Sequence, residues 1–202
     1  MDARQAARNL EVIRTLMERN CQYQLLTARA GLAAGSLAGA GALAFSLLEP
    51  ENPWQFGTTW ALVFVGSLLS ATGSIILRGR QRGERVWSRP ARAVLLALAP
   101  SVLAAMALSV FFFARQEHLW LPGVWMLCYG QGALATSAYA PSPIRWLGSM
   151  VLPLGCLTLW LGPAWAVLMM GLVFGLGHMG LGAALLVAER RETTIRLHRE
   201  VA

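Results

Sequence analysis

The chain contains no lysine, and charged residues of either sign make up only 13% of its 202 positions. A soluble domain carries about 25%. The missing charge is missing in blocks. Residues 30–48, 52–77, 93–114, 118–144 and 146–188 hold no Asp, Glu, Lys or Arg. Each absence excludes a chemistry. Without lysine there is no Schiff base for a retinal-type chromophore. Without a carboxylate deep in an apolar run, ion-coupled transport loses its usual coupling group, although a neutral pore needs none. The three cysteines, Cys21, Cys128 and Cys156, are odd in number and lack metal-like spacing, so no disulfide framework or thiolate metal site is expected. Of three histidines only His178 lies inside an apolar run far from its ends, so a haem held by two histidines is excluded. No His/Glu cluster for zinc hydrolysis, no Gly-x-Ser-x-Gly elbow and no Walker A loop is present. No catalytic residue, metal site or cofactor is expected.

What fills the sequence instead is apolar residue, 56% of it. Roughly 20 apolar residues carry a helix across the hydrocarbon core. The first four charge-free runs each fit one crossing. The fifth has 43 residues, with Leu161-Gly162-Pro163 near its middle, and Gly-Pro breaks helices. It therefore reads as two. The fold class is all-α: a polytopic membrane helical bundle of six transmembrane helices, at 25–48, 57–77, 92–113, 119–139, 144–161 and 164–188. A β-barrel would alternate polarity in short segments; these runs are apolar all round, as helices in lipid must be.

The net charge of +7 is carried by arginine alone. Fifteen arginines fall on one side of the expected membrane: Arg4, Arg8, Arg14 and Arg19; Arg78, Arg80, Arg82, Arg85, Arg89 and Arg92; Arg145; and Arg190, Arg191, Arg196 and Arg199. Arg29 can snorkel to the same side. The other side keeps Arg115 and an acidic loop, Glu49-Pro50-Glu51. The positive-inside rule then places the arginine-rich side, with both termini, in the cytoplasm of a bacterial inner membrane. Such arginines meet anionic headgroups, so membrane lipid is the first partner expected, and no direct nucleic-acid contact is. Residues 1–48 do not resemble a cleaved leader, because the apolar run starts only after about 25 residues.

Three parts follow: a cytoplasmic amphipathic helix over 1–24, a six-helix transmembrane domain over 25–188 and a basic cytoplasmic tail over 189–202. Leu10, Ile13, Met17 and Cys21 share one face of the first, which would lie on lipid or dock a soluble partner. Trp54 and Trp60, Trp120 and Trp125, and Trp160 and Trp165 flank Gly- or Pro-bearing turns at the three points of re-entry from outside. They read as interface anchors or as the marks of three repeated hairpins. Gly31, Gly35 and Gly39, and likewise Gly171 and Gly175, recur every four residues. Such small faces let helix backbones approach closely, within the chain or across a homo-oligomer.

Polar residues inside spans are the functional candidates. His178 sits in Phe174-Gly175-Leu176-Gly177-His178-Met179-Gly180. It would hydrogen-bond a backbone carbonyl or Gln131, or sense protons or a ligand. Tyr129 and Gln131, in the fourth span, join it as ligand or proton-sensing candidates.

Leu121-Pro122-Gly123-Val124-Trp125-Met126-Leu127-Cys128-Tyr129-Gly130, Ala138-Tyr139-Ala140 with Arg145-Trp146-Leu147-Gly148, Phe174-Gly175-Leu176-Gly177-His178, and Arg14-Thr15-Leu16-Met17-Glu18-Arg19 before a Gly/Ala-rich first span resemble a group of small bacterial membrane proteins with about six spans and no established activity. That resemblance implies a cytoplasmic protein partner such as a winged-helix regulator, and weight on His178 and Tyr129 without a role. A non-enzymatic sensory, regulatory or assembly component is the function expected; the alternative is a small transporter or channel component for a neutral or lipid-like substrate.

Overall fold

A computed structural model describes Gln5, residues 27–48 and residues 52–201, with side chains described as far as residue 190. The amphipathic helix expected over 1–24 lies outside the described residues except for Gln5. All regular structure among the described residues is helical. The helices are α1 Ala28–Leu48, α2 Pro53–Arg82, α3 Arg89–Ala114, α4 Leu121–Thr136, α5 Ser142–Leu161, α6 Ala166–Met170 and α7 Gly177–Val201. A 3-10 turn, His118–Trp120, leads into α4; another, Pro163–Trp165, leads into α6; a π-helical stretch, Gly171–Leu176, joins α6 to α7.

Five described stretches are long and apolar enough to cross a membrane: Ala28–Leu48, Pro53–Arg82, Arg89–Ala114, Ser142–Leu161 and Pro163–Arg190. Their outward surfaces are those of a membrane protein. Leu62, Leu69, Leu96 and Val110 are each two-thirds or more exposed, an arrangement that costs free energy in water and none in hydrocarbon. The fourth expected span, 119–139, is shorter than the sequence suggests, with its helix at Leu121–Thr136. Residues 137–139 form turns instead of continuing α4, since Pro141 disfavours helical backbone at the residue before it.

Local chemistry sets the ends. Asn52 caps α2, its side chain accepting from the Trp54 N–H at 2.9 Å, with Pro53 at the first turn. Gly83, at φ 64°, closes the same helix. The Leu161-Gly162-Pro163 break falls where the sequence places it: α5 stops at Leu161 and Gly162 turns the chain at φ 83°. The last helix does not stop where the expected sixth span ends at 188. Nothing after Gly182 resembles a Gly or Pro stop, and α7 runs on to Val201.

The helices form a ring in the order α2, α1, α6–α7, α5, α4, α3. Every junction in that order is packed. The α1–α7 junction is made by glycine. A methyl added at Gly35 would lie 2.6 Å from the Gly175 carbonyl oxygen, and one at Gly31 would lie 2.9 Å from the Gly182 backbone. A methyl at Gly175 would in turn lie 3.3 Å from the Gly39 backbone, and one at Gly171 would lie 2.8 Å from the Ala42 side chain. All five glycines of the two stripes therefore serve contacts within the chain. Met126, Leu147, Val151, Met170 and Val173 fill the centre.

Candidate functional site

The π-helical stretch and the first turn of α7 carry the polar chemistry of the interior. A π turn widens the helix by one residue per turn, and such turns gather at functional sites. This one is pressed from one side by the α1 backbone through Gly35 and Gly39. On another side it presents Phe174 and His178 to α4. His178 Nδ1 lies 2.9 Å from the Phe174 carbonyl oxygen, and its Nε2 lies 2.7 Å from the Tyr129 hydroxyl. A carbonyl only accepts, so Nδ1 carries the proton. In the neutral ring Nε2 then accepts, and the Tyr129 O–H donates to it. The result is a closed chain of two hydrogen bonds running from Tyr129 through His178 to Phe174. The rings support it: Tyr129 meets Phe174 edge-on at 5.4 Å, Phe174 stacks on His178 at 5.9 Å, and Tyr129 and His178 lie 5.2 Å apart. Phe174 is the member that sequence reading missed. It stands four residues before His178, the spacing at which a helical side chain reaches back to a carbonyl.

Gln131 does not join. Two residues along a helix is about 200° of rotation, so Gln131 leaves α4 on nearly the opposite side from Tyr129, and its side chain is exposed.

The six tryptophans divide. Trp54, Trp160 and Trp165 are exposed at the end of the bundle that carries Arg115. Trp120, at the same end, donates its indole N–H to Glu117 at 3.0 Å. Trp60 and Trp125 turn inward rather than anchoring the surface. Trp60 packs against the central apolar cluster. Trp125 donates to Ser109 on α3 at 2.9 Å and lies 5.5 Å from the Phe64 ring on α2. Trp87 and Trp146, exposed at the opposite end, supply the second aromatic girdle.

Two polar atoms, Trp60 Nε1 and His118 Nδ1, are buried without a hydrogen-bond partner among the described residues. Both border Phe56. His118 is held between Phe56 and Phe113, and this burial lowers its pKa below the ordinary imidazole value, with Glu117 pulling weakly the other way. Among the described residues no three His, Cys, Asp or Glu side chains gather as a metal would require. At the arginine-bearing end, Arg78 at the close of α2 forms an ion pair with Glu189 on α7. No protein-family model, no curated protein and no solved structure matches the chain.

Proposed function

We propose that the chain is a six-span component of a bacterial cytoplasmic membrane, with both termini in the cytoplasm, that acts in sensing, regulation or assembly through a cytoplasmic partner. α4 alone rises about 24 Å, most of a hydrocarbon core, which supports counting it as a further crossing with His118 outside it. The arginine asymmetry supports the orientation.

One observation carries the role. A polar chain of the interior, Tyr129–His178–Phe174, sits on the π turn of the same helix that leaves the bundle at the arginine-bearing end as α7. A π turn is a register choice, and a hydrogen bond at its edge biases that choice. Breaking the Tyr129–His178 bond by a competing ligand, or reversing its direction by protonation of the imidazole, would shift α7 relative to α4. The arm beyond residue 190 would carry the change to a soluble partner, for which a winged-helix regulator is the candidate. Purification from native membranes tests this. The expected result is a stoichiometric soluble partner whose yield falls in Tyr129→Phe.

A second reading, transport of a neutral or lipid-like substrate, is favoured by the loose join between α2 and α3 described next. Solute flux in liposomes holding only this protein would favour it and count against the regulatory role.

A further inference from the structure

The ring has six junctions if α3 is taken to close on α2, and this sixth junction is unlike the others. The two helices are consecutive in sequence and joined by only six residues, 83–88, yet they do not pack along their length. Their side chains meet near the Arg115 end. There Phe113 approaches Gly57 so closely that an added methyl would lie 2.8 Å from its ring, and Trp54 stacks on Phe113 at 6.4 Å. Further along, each helix is held by a different neighbour. Arg78 ties the end of α2 to Glu189 on α7. Leu98 and Ser101, in the first half of α3, close on Gly132 of α4. Toward the arginine-bearing end the two helices are thus held by different neighbours rather than by each other, which leaves a seam between them bordered by α4.

A seam at membrane depth is not left empty, and the bilayer supplies acyl chain to fill it. Leu68, Leu69 and Leu77 on α2, and Leu95, Leu96 and Leu103 on α3, are exposed along these two half-helices. The short connection at the mouth of the seam is cationic. Arg80, Arg82, Arg85, Arg89 and Arg92 are all exposed, with Glu84 the one opposing charge among them. Trp87, 67% exposed in the same connection, marks it as lying at headgroup level. An apolar slot ending in a cluster of guanidinium groups matches one kind of occupant, which has long acyl chains and a negatively charged phosphate head. Arginine also offers a planar fork to phosphate oxygens.

We propose that the α2–α3 seam is a binding site for one anionic membrane phospholipid, its chains between the two helices and its phosphate on Arg82, Arg85 and Arg89. Such a lipid is compatible with either role above, and the site depends only on the chain lying in a bilayer. The test uses the full chain in phosphatidylcholine nanodiscs doped with phosphatidylglycerol that bears a diazirine midway along one acyl chain. The expected photo-adducts concentrate at residues 67–77 and 93–103. The same diazirine on phosphatidylcholine should label the lipid-facing surfaces of all spans evenly. Arg82→Gln/Arg85→Gln/Arg89→Gln should lower the seam adduct at least tenfold, since each arginine near the surface contributes about fivefold to anionic-lipid binding. Arg145→Gln, at the same end of the bundle but away from the seam, should leave it unchanged. Adducts spread evenly with both lipids, or a triple variant labelled as strongly as the native chain, would overturn the site. Neither outcome bears on whether a soluble partner binds α7.

Discussion

The α1–α7 junction and the α2–α3 seam both lie between apolar helices and behave oppositely. In the first, glycine faces glycine and backbone meets backbone, with the Ala42 and Met179 side chains close beside them. In the second, leucine faces outward on both helices and the partners are drawn off elsewhere. In lipid no hydrophobic force favours one helix surface over another. Close packing therefore has to come from shape, and glycine supplies that shape where the two stripes meet and again between α4 and α5, where a methyl at Gly148 would lie 3.0 Å from the Gly130 carbonyl oxygen. The comparison separates residues that hold the bundle together from residues that merely keep it in the membrane.

The sharpest way to break that comparison is to fill the packed junction. Gly35→Leu would place side-chain atoms inside the Gly175 carbonyl and the Met179 backbone. It should cost about 3 kcal/mol or more by the upper range of overpacking effects, read as loss of the folded form in detergent unfolding. The matching change on the loose side, Gly73→Leu on α2, adds a Cβ that meets nothing within 4 Å and should shift stability by no more than about 0.5 kcal/mol. Equal losses at the two sites would erase the distinction. A smaller effect sits at the interior hydrogen bond. Tyr129→Phe keeps the ring and removes the donor to His178, for an expected loss of about 1 kcal/mol. No loss in the same unfolding assay would mean that the pair is incidental.

Smaller again is a pH effect at the Arg115 end. His118 has a folded-state pKa below its ordinary value of 6.5, so folding favours the neutral ring. The stability this confers is present above about pH 6.5 and is lost as pH falls through the lowered value. Melting in detergent should therefore drop between pH 7.5 and pH 5, and His118→Gln should reduce the drop; an unchanged drop would remove His118 from the account. The smallest effect expected is at Gln131, whose exposed amide makes no hydrogen bond among the described residues: Gln131→Leu should be near neutral, within about 0.5 kcal/mol. A large loss there would show that the amide has a partner.

Much of this architecture is legible in the sequence because lipid imposes so plain a rule. Charge-free runs mark the helices, Leu161-Gly162-Pro163 marks a real break, and the glycine stripes mark a close helix contact. The limits are equally physical. Hydropathy does not say which apolar face meets protein and which meets lipid, so neither the intrachain use of the glycines nor the α2–α3 seam could be read. His178 and Tyr129 stand out as polar residues in apolar runs, but they are 49 positions apart and their pairing is tertiary. Gln131 looked like an equal candidate because composition ignores rotation about the helix. Trp60 and Trp125 looked like surface anchors for the same reason. The π turn has no signature beyond its glycines, and α4 ends early because of Pro141, a local effect that a count of apolar residues passes over.

The claim on which the functional reading turns is that the Tyr129–His178 hydrogen bond sets the register of α7. Spin labels at Glu84→Cys and Ala188→Cys, both exposed positions, in a background without the three native cysteines, report that register as a distance by pulsed electron resonance in nanodiscs. Tyr129→Phe should move or broaden the distance distribution, with the wild-type hydroxyl giving one narrow peak. Superimposable distributions with and without the hydroxyl would contradict the coupling and leave the pair as packing alone.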